Sequence, residues 1–600
     1  MAWQIGLAGL DGGQIHLDVA PDTLGSELLQ RVISQLPPKP GGQLRLSFGG
    51  KELLQQRSLR NQGLADGCVG AYTYAPTRLG QAWHVLRGDD TCVGALEGIT
   101  QLALHNIRGI SQSLPHSLQN LHVGLGAVDK SFQSMMLDSI QHLSFGQQFN
   151  SDLQGTMLPR NLKTLTFGDM FDQRLDGVIF PGSLQSLIFG RGYNQPLQRV
   201  TLPGKLQSLN FGNSFNQSLE GIKIPSGLQS LIFGYSFNQS MQGLTLPSSL
   251  QCLTFGSKFN QRLQGVLPVA LGSLTLGFDF EELKGVTLPS SLQSLHCGSK
   301  FKKCLRAVTL PQNLCNLTFG GLLNQQETLP RNLMHLTFSQ TFNQRLQEMN
   351  LPSSLKSLTF GLRFNQCLKG ASLPESLQHL TFGRDFNHSL QGVTLPAALK
   401  SLSFGYYFDQ VLHEVACPSL QSLTFGEQFN RSLRGVTLPC NLQTLTFGER
   451  FNQPLQEVVL PDNLQSLTFG DCFNQPLQEV RLPGNLQSLT FGDCFNQPLQ
   501  EVLLPGSLQS LAFGECFNQH IPEATLPGNL QNLAFGARFK QRLLPANDFF
   551  QSARGIKLPS GLQSLTLSAI AHWQVLPDGL QSFSAGGIRL SIQQSHCHAG

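Results

Sequence analysis

The stretch Leu460-Pro461-Asp462-Asn463-Leu464-Gln465-Ser466-Leu467-Thr468-Phe469-Gly470-Asp471-Cys472-Phe473-Asn474-Gln475-Pro476-Leu477-Gln478-Glu479-Val480-Arg481 decides the fold, because near-copies of it follow at Leu482 to Val502 and Leu504 to Ala524. Weaker copies extend the pattern over about residues 115 to 577. A proline marks its phase. Pro159, Pro181, Pro203, Pro225 and Pro247 are each 22 residues apart, as are Pro352, Pro374, Pro396 and Pro418, and then Pro439, Pro461, Pro483, Pro505 and Pro527. A short fixed period means a stacked solenoid, in which each unit buries its apolar side only against its neighbours. Such a stack displays a long surface and offers few enclosed pockets, so binding is expected before catalysis.

Within the unit, Leu467 and Phe469 alternate with Ser466 and Thr468, which predicts a strand with its apolar residues inward and its hydroxyls outward. Leu464 joins the inner set three residues earlier, and Phe473, Leu477 and Val480 extend it around the coil. Each such side chain contributes about 1.5–3 kcal/mol on burial, which offsets the ordering entropy only when both neighbouring coils are present. The position after the second phenylalanine is Asn in most copies: Asn216, Asn238, Asn260, Asn343, Asn365, Asn430, Asn452, Asn474 and Asn496. Asparagine donates and accepts, so a structural ladder satisfying backbone groups of adjacent coils is expected. Glu281 and Lys302, like Glu282 and Lys303, break the column at equivalent positions, and stacked ion pairs are expected there. Irregular spacings, 19 residues from Pro311 to Pro330 and 32 from Pro527 to Pro559, mark insertions or breaks.

Only 13% of the 600 residues are charged, against about a quarter in typical domains. The net charge of +4 gives no electrostatic case for nucleic acid. No stretch approaches the ~18 apolar residues that span a bilayer, and the first residues do not read as a secretory signal. The 13 cysteines form no CxxC pair, which fits a reducing compartment, cytoplasmic with the nucleus as a second location. Cys472, Cys494 and Cys516 recur at one repeat position, roughly 5 Å apart in a stack, and read as small residues at a variable loop position, with soft-metal binding or oxidative pairing as the alternative.

The first 76 residues follow another pattern. Gln14 to Val19 alternates as a half-buried strand, and Asp22 or Thr23 is positioned to cap a helix. Leu24, Leu28, Leu29, Val32, Ile33 and Leu36 line one face of that helix, and Pro37-Pro38 end it. Gln43 to Phe48 and Val69 to Tyr74 read as further strands. Leu36-Pro37-Pro38 with Gln43 to Leu53, Arg57-Ser58-Leu59 and Leu64 resembles ubiquitin, which implies a β-grasp fold over 1–76. The face that recognises partners in ubiquitin falls here on Leu10, Ser47 and Thr73, with Lys51 on the neighbouring turn. Two aliphatic anchors are thus replaced by hydroxyls, which weakens that mode of recognition. The chain continues through Tyr74-Ala75-Pro76-Thr77-Arg78, so the resemblance implies an integral module and not a conjugated tag.

The repeat resembles the FNIP family through Phe473-Asn474-Gln475-Pro476 and its relatives, and it is similar to BspA-like leucine-rich repeats. The resemblance implies a leucine-rich-repeat-like β-solenoid used for protein interaction. The expected architecture is mainly β. A ubiquitin-like module at 1–76 and a linker or cap at 77–95 precede about 20 repeats of 22 residues at 96–582, with a cap and tail at 583–600.

No phosphate loop, nucleophile elbow or paired metal-ligand motif stands out. No catalytic residue, metal or cofactor is therefore assigned, and His596-Cys597-His598 reads as tail. His335 and His379 take an outward position, as solvated surface. Lys300, Lys302, Lys303 and Arg306 beside Asp279, Glu281 and Glu282 read as a mixed solvated face. The outward Ser-x-Thr rows are interrupted by Asn316, His335, His379 and Asn532, which argues against ice binding. Residues that break the uniform Gly-x-x-Phe loops (Arg384, Asp385, Glu449, Arg450 and Asp471) are the expected contacts for a protein partner. The sequence thus reads as a monomeric, non-enzymatic scaffold or adaptor, its ubiquitin-like end docking proteasomal or ubiquitin-receptor proteins. The alternative is a passive structural repeat in which that end is only a cap.

Overall fold

In the computed structural model the described residues are 100–106, 114–125, 137–281, 283–301, 308–319, 329–412, 417–522, 526–544, 556–568, 580, 582–585 and 588–591, with the backbone of six strands before residue 100. The chain divides into two units. One comprises Met1–Phe301 with Ala307–Pro311, the other Lys302–Arg306 with Gln312–Gly600.

The first unit opens with five strands, β1 (Trp3–Gly9), β2 (Gln14–Val19), β3 (Gly42–Phe48), β4 (Lys51–Glu52) and β5 (Val69–Pro76). They form one sheet in the order β2-β1-β5-β3-β4, with β1 and β5 parallel and the other pairs antiparallel. The helix expected from Asp22 or Thr23 to Leu36 lies outside the described residues, as does Leu10. Within the expected linker or cap at 77–95, His84–Leu86 is a strand that pairs in parallel with Gln101–Asn106. A stack with an open edge recruits whatever extended segment precedes it. From there the unit continues as a parallel ladder through Asn120–Leu125, His142–Phe145 and Thr164–Thr166 to Ser294–His296.

The second unit is the same kind of ladder, running from Asn316–Phe319 to Ser582–Ala585 before Ile588–Ser591 turns back antiparallel. In both units the register is repeat on repeat. Leu467 faces Leu489 and Ser466 faces Ser488, just as Leu209 faces Leu231 in the first unit. This is a mainly-β parallel solenoid. Among the described residues there is no α-helix, and the 3-10 turn Leu346–Glu348 is the one helical element.

The interior follows the sequence periodicity. Leu464, Leu467, Phe469, Phe473, Leu477 and Val480 are all buried, while Ser466 and Thr468 lie half-exposed outside. The two phenylalanines of each coil stack on each other and on those of the next coil. Phe469 and Phe473 lie 3.9 Å apart, and Phe473 lies 6.0 Å from Phe495. These offset stacks add about 0.5–1.5 kcal/mol per pair beyond the area they bury. In the first unit one of the two columns stops at Phe255, where Leu276 and Cys297 take the next places. Burial pushes the Cys297 thiol up to about 12.

Gly470 closes the strand for a steric reason. A Cβ there would overlap the carbonyl oxygen of Gly448, because the two coils touch backbone to backbone. Ser339 occupies the same column in the second unit, buried and with no hydrogen-bond partner for its hydroxyl.

Candidate interaction surface

Each strand leads through Gly-x-x-Phe into a turn, and that turn builds the surface. In the coil around Tyr406 and Tyr407 the Phe408 N–H donates to the Gly405 carbonyl at 3.2 Å. The Tyr407 N–H donates to the Arg384 carbonyl of the preceding coil at 2.9 Å. Phe408 is thereby drawn fully inside, and the two residues before it are held outside. The same bonds recur coil after coil, as from the Arg450 N–H to the Glu427 carbonyl and from the Cys472 N–H to the Glu449 carbonyl, both 2.8 Å. The fold therefore exposes two freely chosen side chains per coil in two aligned rows.

The asparagine column lies beside these rows. The Oδ1 of Asn216 accepts the N–H of Asn238, that of Asn238 the N–H of Asn260, and that of Asn260 the N–H of Glu281 (2.9, 2.9 and 3.2 Å). In the second unit Asn343 receives Asn365, Asn430 receives Asn452, Asn452 receives Asn474 and Asn474 receives Asn496, at 2.9–3.0 Å. The next residue, a glutamine, shares the acceptor: Gln475 Nε2 donates to Asn452 Oδ1 at 2.9 Å. Asp172 and Asp409 fill the same role with a carboxylate, accepting from the Asn194 and Asn430 N–H. At these positions a carboxylate oxygen thus accepts the same backbone N–H as an amide oxygen does elsewhere. Glu281 keeps the backbone bond, but Glu282, Lys302, Lys303 and Arg306 lie outside the described residues. The charge contact seen nearby is Lys300 Nζ to Asp279 Oδ1 at 2.8 Å, a bond that holds the Lys300 ammonium above its ordinary value.

Exposed aromatic rings with a cation over them recur on the loop rows, as Tyr235 with Lys258 and Phe278 with Lys300, and one such place joins two rings. Tyr406 and Tyr407 meet edge to face at 4.8 Å and 79°, and both are exposed, at 37% and 42%. The Arg384 guanidinium lies 5.4 and 5.3 Å from their ring centroids, and its Nη2 donates to Tyr407 Oη at 3.3 Å. Exposed Leu362 continues the row one coil earlier. Beside this cluster is an open groove of about 690 Å³, lined by Asp385, Tyr407, Asp409 and Arg450 with Asn387 and Asn430 among its walls. Arg431 pairs with Asp409 at 2.9 Å, and Arg450 forms a cationic wall of the groove.

Of the expected contact residues, Asp385 and Arg450 line this groove and Arg384 borders it. Glu449 and Asp471 stand further along, in a row of acidic residues that runs Glu427, Glu449, Asp471, Asp493 and Glu515. Some of these cap backbone N–H groups, as Glu427 Oε2 does for Glu449 at 3.1 Å. Among the N-terminal residues, Ser47 opposes Ala71 and Thr73 opposes Arg45 in the backbone register, and Lys51 opens β4. The sequence reading missed Tyr406 and Tyr407. The signal was present, since theirs is the one Tyr-Tyr pair in the chain and it falls on the two loop positions left free by the repeat. His335 and His379 are exposed on their strands. No helix among the described residues is long and apolar enough to cross a membrane.

The FNIP Repeat family matches in successive segments over residues 105–170, 171–214, 193–236, 215–258, 237–279, 278–321, 325–363, 364–407, 386–428, 429–472 and 473–516. Among solved structures the chain is similar to CroV588, described as a novel circular LRR protein. The two are 36% identical, with a TM-score of 0.60 over 81% of this chain and 75% of that one. An internalin (inlF) from Listeria monocytogenes (12% identity, TM-score 0.24, covering 60% of this chain and 83% of that one) shares far less. So does a leucine-rich repeat protein from Bacteroides ovatus (14%, TM-score 0.16, 73% and 88%). No curated protein matches the sequence. With repeats matched over more than half of its length and the proline, double-phenylalanine and asparagine columns stacked in register, the chain belongs to the FNIP repeat family.

Proposed function

We propose that the chain is a non-enzymatic protein-interaction scaffold and that its solenoid holds a protein partner on the loop rows around Arg384, Tyr406 and Tyr407. The observation that carries this reading is the exposed Arg-Tyr-Tyr cluster, in which one guanidinium meets two rings that also touch each other, whereas the loop rows of the first unit hold single pairs, Lys258 over Tyr235 and Lys300 over Phe278. Tyr and Arg dominate the energetics of protein interfaces because they bury large area at low entropic cost and keep a polar handle. Asp385 and Arg450 in the adjoining groove supply charges of both signs to fix the register of a bound segment. Glu449 and Asp471 extend the contact along the acidic row.

The test is site-specific photo-crosslinking in native lysate. A photoreactive residue at Leu362, beside the cluster, is expected to capture a defined protein that the same residue at Thr490, on the strand face, does not. The double substitution Tyr406→Ala with Tyr407→Ala is expected to remove that capture. Equal capture at both positions, or capture indifferent to the double substitution, defeats the reading in favour of a passive structural repeat.

A second reading concerns residues 1–76. The order β2-β1-β5-β3-β4, with a parallel central pair, supports the ubiquitin-like module implied by the sequence. On this reading the module docks proteasomal or ubiquitin-receptor proteins through the face carrying Leu10, Ser47 and Thr73, next to Lys51. Full-length protein carrying Thr73→Arg is expected to lose such partners while keeping those captured at Leu362. Retention of the same partners by the variant rejects it.

A further inference from the structure

Cys472, Cys494 and Cys516 stand at the second loop position of three successive coils, where other coils place Arg363, Asp385, Tyr407 or Gln428. The coils are locked in register at this point. The Cys494 N–H donates to the Asp471 carbonyl at 2.7 Å and the Cys516 N–H to the Asp493 carbonyl at 2.8 Å. The adjoining rings Phe473, Phe495 and Phe517 repeat at 6.0 Å. Disulfides form between Cα atoms about 4.4–6.8 Å apart, so each neighbouring pair of coils brings its thiols within bridging reach. All three are free thiols, Cys494 exposed and its two neighbours half-buried. A single ion would need its sulfurs at about 2.3 Å from one point, and among the described residues no three such ligands converge.

We propose that this row is a reversible oxidation site in which Cys494 forms an inter-coil disulfide with Cys472 or with Cys516. The oxidant is a low-molecular-weight disulfide of the glutathione type. The Cys494 thiol loses its proton and attacks one sulfur of the reagent, forming a mixed disulfide and releasing one reagent thiolate. The thiol of Cys472 or Cys516 then loses its proton and attacks the Cys494 sulfur, releasing the second. Two protein S–H bonds and the reagent S–S bond become one protein S–S bond and two reagent thiols. Two electrons pass from protein to reagent. The third thiol stays free and can exchange along the row. Partial desolvation, the two flanking thiols and the carboxylates of Asp493 and Asp471 all push the Cys494 thiol up. The attacking thiolate is accordingly scarce near neutrality, which makes the site a slow responder.

The experiment treats the full chain with oxidised glutathione, blocks remaining thiols with iodoacetamide and reads tryptic peptides without reduction. Cleavage after Arg450, Arg481 and Arg538 puts Cys472 in peptide 451–481 and both Cys494 and Cys516 in 482–538. A Cys472–Cys494 bond appears as a cross-linked peptide pair. A Cys494–Cys516 bond appears as peptide 482–538 lighter by the mass of its two thiol hydrogens. Exposed Cys252, whose register neighbours are Ser230 and Ser273, is expected to carry only glutathione or the alkyl group. Cys494→Ser, a residue that Ser214 and Ser236 show the position accepts, is expected to abolish every link in the row. Full alkylation of all three thiols, glutathione adducts without a link, or a Cys472–Cys516 link that persists in Cys494→Ser overturns the proposal.

Discussion

Two stretches of the same repeat, 217–266 and 453–502, make one turn with different residues. In the first, the turn Leu219 to Ile222 closes with an N–H to carbonyl bond of 3.2 Å and places Gly221 at φ +78°. In the second, Leu477 to Val480 closes with a bond of 3.1 Å and places Glu479 at φ +68°, with Glu457 and Glu501 alike at +66°. The third residue of such a type II turn needs a positive φ, which glycine adopts freely and a side-chain-bearing residue adopts at about 1–2 kcal/mol. The stack therefore dictates the backbone there, and the residue yields to it. Local strain persists where surrounding contacts over-determine a conformation, and here the surrounding contacts are the coils above and below.

If the interior imposes the turn equally in both stretches, Phe237→Ala and Phe473→Ala should each cost about 3–5 kcal/mol. Both rings are fully buried at the same repeat position, each in the stacked column of its own unit. The measurement is local opening free energy by native-state hydrogen exchange, which suits a repeat array better than one global transition. Unequal costs would show that the two interiors differ after all. A smaller effect of opposite sign is expected at Tyr193, which replaces a phenylalanine of that column in the first unit. Its ring is buried and its hydroxyl has no hydrogen-bond partner. An orphaned buried hydroxyl costs about 1–3 kcal/mol, so Tyr193→Phe should raise stability by about 1 kcal/mol or more.

The turns themselves separate next. A Cβ at Gly221 meets nothing within 4 Å, so Gly221→Ala tests the dihedral alone and should cost about 1 kcal/mol. Glu479→Gly should do the reverse and gain up to about 1 kcal/mol, because relief of strain exceeds the added freedom of the unfolded chain. The amides of Ile222 and Val480 report each turn directly. Smallest of all is the ion pair Arg434 to Glu457 at 2.7 Å, whose side chains are both mostly exposed. Arg434→Ala should change stability by about 0–1 kcal/mol, and by less still in high salt. A larger loss would mean that this pair, and not the stack, holds Glu457 in place.

The same contrast explains what was readable in advance. Leu467, Phe469 and Phe473 announce themselves because burial repeats with the period of the chain. Their contacts are made to copies of themselves, so a one-dimensional pattern is nearly the whole fold. The acceptor column was readable for the same reason, through Asn474 and its copies. Glu479 was not. Nothing local in Leu-Gln-Glu-Val marks a positive φ, which comes from the neighbours. The cluster of Arg384, Tyr406 and Tyr407 was half readable. Arg384 breaks the loop pattern visibly, but its approach to Tyr406 and Tyr407 joins residues more than 20 positions apart that meet only once the coils stack.

The asparagine column also has a polarity. In every described pair the side-chain oxygen belongs to the earlier coil and the amide hydrogen to the later one, as from Asn474 to Asn496. A completed coil thus presents its acceptors toward chain that has yet to be made. Synthesis proceeds from the N-terminus, and folding during synthesis follows the same direction. Each newly emerged segment therefore finds the acceptors for its backbone N–H groups already in place, although its apolar side is fully covered only once the next coil follows.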